Sequence, residues 1–99
     1  MKGLMQQGGV IIAASLEHAR RSAVIDWGWA HVGPGKFRRP DGLDVTFASD
    51  SGALKGWPRG TLMFLGQGWA GSPAIANGNR QAVLARFTVA REPGQAVAK

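Results

Sequence analysis

The first apolar pattern of the chain covers residues 10–25, VIIAASLEHARRSAVI. Four of its apolar residues recur at the spacing of one face of an α-helix, at i, i+4, i+7 and i+11: Ile12, Leu16, Ala19 and Ala23. The stretch is rich in Ala, Leu, Glu and Arg, which are strong helix formers, and it contains no Pro. The pattern therefore predicts an amphipathic helix over residues 10–25.

After residue 25 the pattern changes to short alternating runs separated by Gly, Pro and Asn. Five runs are predicted strands, the last of them the longest: residues 26–32, 43–48, 61–65, 74–76 and 81–90. Turns are predicted between them at residues 33–35, 40–42 and 77–79. Residues 49–60 have the composition of a loop, with a short strand near 53–57. The predicted core is Trp29, Leu43, Val45, Phe47, Met63, Phe64, Val83, Phe87 and Val89.

The length of 99 residues suits one domain, and 15 Gly with five Pro favour turns between short strands over a helix bundle. We therefore predict an α+β fold in which an N-terminal amphipathic helix packs on antiparallel β-sheet. The single domain would span residues 1–99, with a helix and its frayed start over 1–25 and a β-rich head over 26–99. The tail after residue 94 would add one edge strand.

Charge and cysteine content exclude few functions. The net charge is +6, from 12 Lys and Arg against six Asp and Glu, and it is compatible with nucleic acid, acidic lipid or simple solubility. The absence of cysteine excludes disulfides and thiolate metal sites. No run approaches the roughly 18–20 apolar residues of a membrane span.

Two stretches resemble the GspH/FimT group of minor pseudopilins, found in type II secretion and type IV pilus systems. LEHARRSAV, residues 16–24, resembles the helix segment of that family. TLMFLGQGWAGSPAIANGNRQAVLARFTVAREPGQAV, residues 61–97, resembles its C-terminal half, with an aliphatic-Phe strand, a turn and a long Val-rich strand. Together they cover about half of the chain, and residues 26–60 have no residue-by-residue match.

The resemblance implies a pilin-like fold and a structural role in a type II secretion pseudopilus. Its partners would be other minor and major pseudopilins, and secreted cargo. The head would be periplasmic on an inner-membrane-anchored protein, and we expect this chain to be the soluble part of a longer one, without its upstream apolar anchor. Subunit packing would involve the apolar helix residues Leu4, Met5, Ile12, Leu16 and Ala19.

An alternative is a FimT-like minor pilin that contacts DNA through Lys36, Arg38 and Arg39. These cations flank an aromatic residue, and positive charge beside aromatics is typical of single-stranded nucleic-acid binding. The candidate stacking residues are Trp27, Trp29 and Phe37. DNA is the weaker prediction, because the family's arginine-bearing tail is here EPGQAVAK. A third reading is an unrelated small β-rich binding domain.

Catalytic and metal chemistry find little support in the sequence. His18 and His31 are the only histidines, and no spacing ties either to a nucleophile. Asp41, Asp44 and Asp50 lack the spacing of a calcium loop, and Asp41 fits a turn better. The glycine-rich GQGWAGS, residues 66–72, is followed by Pro and a β-prone segment, so it favours a loop over a phosphate site. We predict no enzymatic activity, no cofactor and no metal.

Overall fold

The fold was established from a computed structural model, which describes residues 8–75 and 80–90. They form a six-stranded sheet in the order β2-β3-β4-β1-β5-β6. The strands are β1 (Gly9–Ile12), β2 (Ala30–Gly33), β3 (Lys36–Arg38), β4 (Asp44–Phe47), β5 (Leu62–Leu65) and β6 (Thr88–Ala90). The helices are α1 (Leu16–Arg20), which continues as a π-helical segment (Arg21–Asp26), α2 (Ser51–Leu54) and α3 (Arg80–Ala85), and a 3₁₀ turn covers Trp69–Gly71.

β1 occupies the centre of the sheet and runs parallel to both of its neighbours, β4 and β5. Val10, Ile11 and Ile12 are completely buried. Three consecutive β-branched residues favour a strand, and burial on both faces is typical of a central parallel strand. The helix predicted over residues 10–25 is therefore wrong at its start, because its first three residues form the middle of the sheet.

The helix begins only after Ser15, whose extended backbone and side chain form an N-cap. The Ser15 Oγ accepts a hydrogen bond from the backbone N–H of His18 at 3.3 Å. The helix ends in a π-helical turn, in which Trp27 N–H donates to the Ser22 carbonyl at 2.9 Å. It buries Ala19, Ser22 and Ala23. The helix thus follows a strand, so the predicted N-terminal helix is corrected to a strand and then a helix.

The strand directions also differ from the prediction. Only the pairs β2–β3 and β3–β4 are antiparallel, whereas β1–β4, β1–β5 and β5–β6 are parallel. Parallel strands need crossover connections. The connection from β1 to β4 contains α1 and the β2–β3 hairpin, the one from β4 to β5 contains α2, and the one from β5 to β6 contains α3. The fold is mixed α/β with one six-stranded sheet and few helices, in place of a helix on antiparallel sheet.

Each face of the sheet carries its own core. α1 covers the face that includes Ile11, Phe37 and Phe64, while α2 and α3 cover the face that includes Ile12 and Met63. Alternate residues of β1 therefore serve both cores.

The local predictions agree with the structure for two strands and two turns. β4 and β5 lie within the predicted ranges 43–48 and 61–65, and turns occur at Pro34–Gly35 and before Leu43. Gly35 and Gly42 have φ values of +67° and +95°, which favour glycine at these turns.

Four other predicted elements need correction. The predicted strand 26–32 is replaced by β2, which starts at Ala30, and residues 51–54 are helical where a loop with a short strand was expected. Residues 74 and 75 form a turn instead of a strand. The predicted long strand 81–90 divides into α3 and the short β6.

The predicted core is largely correct. Trp29, Val45, Met63, Phe64 and Phe87 are buried, and Leu43, Phe47 and Val83 are half-buried. Val89 is 42% exposed, because β6 is short and lies at the edge of the sheet. The turn predicted at 77–79 and the predicted tail strand lie outside the described residues.

Candidate functional site

The carboxyl edge of the parallel strands is the usual ligand site of an open α/β sheet, and here it is closed by the chain itself. The loops that follow β1 and β5 are joined by a hydrogen bond from Ala14 N–H to the Gln67 carbonyl at 3.0 Å. The Gln67 N–H donates to Ser22 Oγ at 2.7 Å, and its side-chain amide donates to Asp26 at 2.9 Å. The backbone and side chain of Gln67 thus fill the crevice between these two strands.

Ser15 and His18 form the one serine–histidine contact at this edge within the described residues. Ser15 Oγ lies 2.7 Å from His18 Nδ1. A nucleophile–base pair needs a third group to orient the base, and the carboxylate on the same helical turn, Glu17, is bound instead to Arg20 and Arg21. The pair therefore serves as the helix cap. His18, predicted to face solvent, is half-buried by this contact.

An apolar groove of about 470 Å³ lies between α1 and the β2–β3 hairpin. We call it the hairpin groove; it is lined by Leu16, Glu17 and Arg20 of the helix and by residues 31–35 and Phe37 of the hairpin. Leu16 is 46% exposed and Val32 is 42% exposed, although both are aliphatic. Its volume lies within the range of ligand-binding clefts. Two aliphatic side chains thus meet solvent in a single concave surface.

Charged groups surround the helical side of the groove. Glu17 accepts hydrogen bonds from both Arg20 and Arg21, so one carboxylate faces two cations and one positive charge is left over. The hydrogen bond from Arg20 is the largest cause of a lowered pKa for Glu17, to about 2. Glu17 is therefore ionised at neutral pH, and the three side chains together carry one positive charge in excess. Glu17 and Arg20 line the groove, and Arg21 lies beside it on the next residue of the helix.

The hairpin side of the groove is an edge of the sheet. β2 is the outermost strand of the order, and all of its residues except Gly33 are exposed. Within residues 8–75 and 80–90 it pairs with β3 alone. Its sequence, AHVG, carries none of the lysines or prolines that usually block an edge strand. The register with β3 shifts between His31 and Gly33, so the regular part of the edge is Ala30–His31, and this part is suited to accept another strand.

The predicted subunit-packing residues fall into three environments. Leu4 and Met5 lie outside the described residues. Ile12 and Ala19 are completely buried in the chain's own two cores. Leu16 is the one of the three described residues whose side chain is exposed, and it lines the hairpin groove. The sequence pattern did not single out Val32, whose signal is an aliphatic residue just before the Gly33–Pro34–Gly35 turn.

The predicted nucleic-acid contacts do not form one patch. Lys36 and Arg38 project from the sheet face opposite Phe37, and Arg38 Nε is bound to Asp44 Oδ1 at 2.7 Å. The Arg39 guanidinium lies 5.4 Å from the centre of the Phe64 ring, on the α1 face, and is paired with Asp41 at 3.4 Å. Two of the three cations are thus engaged in ion pairs, on opposite faces of the sheet.

The predicted stacking aromatics are inaccessible, because Trp27, Trp29 and Phe37 are all buried. The Trp29 ring lies 4.9 Å from both Trp27 and Phe64, and it meets Phe64 edge-on. These contacts are those of a packed aromatic core. The indole N–H groups of both tryptophans have no acceptor among the described residues.

The remaining candidates have separate local roles. Asp41 accepts a hydrogen bond from the Leu43 N–H at 3.0 Å, as expected for a turn residue. Asp50 caps α2 by accepting from the Ala53 N–H at 2.8 Å. His31, predicted to be packed or locally satisfied, is exposed, with its ring 5.5 Å from that of Phe37. Residues 66–72 form the predicted loop, with a 3₁₀ turn at Trp69–Gly71.

Comparison of the chain with protein-family models, with characterised proteins and with solved structures gave no significant match. Among the helices in the described ranges, none combines the length and the hydropathy needed to cross a bilayer.

Proposed function

We propose that the chain is a non-catalytic interaction subunit that binds an extended segment of another protein in the hairpin groove. The observation that carries the proposal is the joint exposure of Leu16 and Val32 in one groove beside β2, whose outer edge pairs with no other strand of residues 8–75 and 80–90. Exposed aliphatic residues are ordinary when scattered, but those gathered in a concave surface mark interaction sites.

An extended partner fits the edge of β2 better than a helical one. A strand added to an open edge gains main-chain hydrogen bonds, and every second side chain points to the same face. On the α1 face, those side chains would enter the groove between Leu16 and the hairpin. The backbone of β2 would provide affinity, and the groove would select aliphatic side chains.

Charge determines the second property of the partner. The chain carries a net charge of +6, and Arg20 stands in the wall of the groove, where its partner Glu17 is shared with a second cation, Arg21, outside the wall. A segment that alternates aliphatic and acidic residues would place carboxylates beside these cations and aliphatic groups in the groove. Such complementarity mainly increases association rate and specificity.

The narrower form of the proposal is a minor pseudopilin subunit whose partners are other pseudopilins, with a periplasmic head. It is supported by the sequence resemblance of residues 16–24 and by the helical conformation of α1 with its exposed Leu16. The resemblance of residues 61–97 is one of sequence, since α3 and β6 replace its long Val-rich strand. The test of this narrower form is co-purification with other minor pseudopilins, lost in Leu16→Asp. The mixed sheet and the strand before the helix do not support the pseudopilin proposal.

The broader proposal is tested by titrating the isotope-labelled protein with a peptide of about six residues that alternates valine and glutamate, the length of a typical strand. Amide resonances of His31, Val32, Gly33 and Gly35 and of α1 are expected to shift. Val32→Asp should weaken binding at least about threefold, since Val32 is 42% exposed and burying the remainder of the side chain is worth at least about 0.6 kcal/mol.

Ile25→Asp is the matched control, because Ile25 is 65% exposed on the same helical segment and does not line the groove. A second control peptide has lysine in place of glutamate and should bind more weakly. Equal weakening by Val32→Asp and Ile25→Asp would refute the proposed site.

A further inference from the structure

A second, polar groove of about 320 Å³ lies on the other face of the sheet. We call it the polar groove; its walls include Gly8, Lys36, Gly42, Asp44, Thr46 and Trp57. It shares no lining residue with the hairpin groove, and Lys36 is the one residue that it shares with the predicted nucleic-acid patch. Its volume suits one small ligand.

The β3–β4 register brings the polar side chains together. Lys36 is the cross-strand partner of Thr46, and Arg38 is the partner of Asp44. Directly opposed residues of an antiparallel pair project to the same face, so all four lie on the face opposite Phe37. Trp57 comes from the turn after α2, where its backbone N–H donates to the Leu54 carbonyl at 3.3 Å. A cation, a hydroxyl and an aromatic ring therefore line one groove.

The charge of the groove favours an anion. Asp44 is bound to Arg38, which lowers the pKa of its carboxyl group and keeps it ionised. Lys36 forms no ion pair among the described residues, and two cations against one carboxylate leave one positive charge. The positive charge of Lys36 also lowers the pKa of Asp44, but the Asp44 carboxylate is already bound by Arg38, which lies outside the groove wall. The excess charge of the three groups therefore falls to Lys36, and Thr46 is its cross-strand partner.

Gly8 and Gly42 leave two points of the polar groove's wall without a side chain. A Cβ atom at Gly8 would lie 2.1 Å from the Asp44 carbonyl oxygen, whereas one at Gly42 would meet nothing within 4 Å. The chain next to Asp44 is thus packed as closely as backbone permits, and the groove is open at Gly42. Trp57 lines the same groove and is half-buried, because it also packs against the core on the α2 and α3 face.

We propose that the polar groove binds a nucleotide unit, with the phosphate at Lys36 and Thr46 and the planar base against Trp57. Base–aromatic stacking tolerates any base, and a lysine neutralises a phosphate as a point charge. The same chemistry belongs to a free nucleotide and to one unit of a single strand. This proposal does not depend on the one made for the hairpin groove.

The test titrates the labelled protein with thymidine 5′-monophosphate and, separately, with an oligothymidylate of about ten nucleotides. The indole N–H resonance of Trp57 and the amides of Lys36 and Thr46 are expected to shift with at least one probe. A shift with the mononucleotide assigns a free-nucleotide site, and a shift with the oligomer alone assigns a single-strand site. The readout uses the unaltered protein, so it stands even where a variant fails to fold.

Two variants separate the parts of the ligand. Lys36→Gln should reduce the salt dependence of oligomer binding by about one unit of slope, whereas Arg21→Gln, which removes a cation from the helix on the other face, should leave it unchanged. Trp57→Leu should weaken binding at least about fivefold, the low end for one lost stack. Ribose 5-phosphate, which lacks the base, should bind more weakly than the nucleotide.

The proposal is overturned by either of two results. One is the absence of any shift at Trp57, Lys36 and Thr46 with both probes. The other is equal weakening by Lys36→Gln and Arg21→Gln, which would indicate diffuse attraction to a basic protein.

Discussion

Replacing Ile12 with alanine tests whether residues 10–12 form the central strand or the start of a helix. In the structure, Ile12 is completely buried on the α2 and α3 face, while Leu16 is 46% exposed in the hairpin groove. In an amphipathic helix the two would share one face, at i and i+4, and would contribute alike. The strand arrangement therefore predicts very different costs for Ile12→Ala and Leu16→Ala.

The magnitude follows from the burial of the side chain. Ile12→Ala removes about three methyl or methylene groups at about 0.8 kcal/mol each, a transfer cost of about 2.4 kcal/mol. The cavity left between parallel strands adds to this, so we expect a loss of about 3–4 kcal/mol, inside the usual range for such changes. Leu16→Ala should cost about 1 kcal/mol or less, because half of its side chain already meets water.

The assay is equilibrium urea unfolding followed by circular dichroism. With a slope of about 1.5 kcal/mol per molar urea, Ile12→Ala should lower the midpoint by about 2 M and Leu16→Ala by well under 1 M. Equal shifts for the two variants, or a larger shift for Leu16→Ala, would refute the central position of β1.

Two further predictions concern stability. Gly68 has φ of +67°, and a Cβ there would lie 2.8 Å from that of Ala14, so Gly68→Ala should lower the free energy of unfolding by about 1–3 kcal/mol. Gly71→Ala should change it little in the same urea experiment, since nothing lies within 4 Å; equal losses would contradict the close loop contact. The pKa of Glu17, lowered from 4.5 to about 2 chiefly by its hydrogen bond to Arg20, predicts stabilisation that is present above pH 4.5 and lost as the pH falls towards 2. Unfolding of wild type and Glu17→Gln across this range should converge at low pH, and a constant difference would contradict the ion pair.

The helix predicted over residues 10–25 was wrong at its start because a short β-branched run fits two patterns. Ile12 begins a helical stripe when read with Leu16, but the three consecutive apolar residues Val10, Ile11 and Ile12 also suit a buried strand. Ser15 was the available local signal, since serine before a helical segment is a typical N-cap. The approach of Gly9 to Phe64 and Leu62, where a Cβ would have 3.0–3.1 Å contacts, depends on tertiary packing and leaves no such signal.

The C-terminal prediction failed for a related reason. The alternation in residues 81–90 is regular, yet α3 occupies Arg80–Ala85, and Val83 and Leu84 both pack against the core on the α2 and α3 face. Two adjacent residues of a strand would point to opposite faces, so this stretch is not a strand, and the strand begins only at Thr88. Parallel pairing joins strands that are far apart in sequence, so it has no local pattern.

Local chemistry was predicted more successfully than surface placement. The turn role of Asp41 and the strands β4 and β5 follow from neighbouring residues alone. In contrast, the exposure of Leu16 depends on where the hairpin lies, and the separation of Arg39 from Lys36 depends on which face each residue takes. Neither property is determined by residues close in the sequence.

The most direct test of the central claim is the map of amide shifts when the alternating valine–glutamate peptide is added to the labelled protein. Binding at the hairpin groove predicts shifts concentrated in residues 31–37 and in α1, with slowed hydrogen exchange along β2. Shifts spread over the whole surface, or none near Leu16 and Val32, would contradict it.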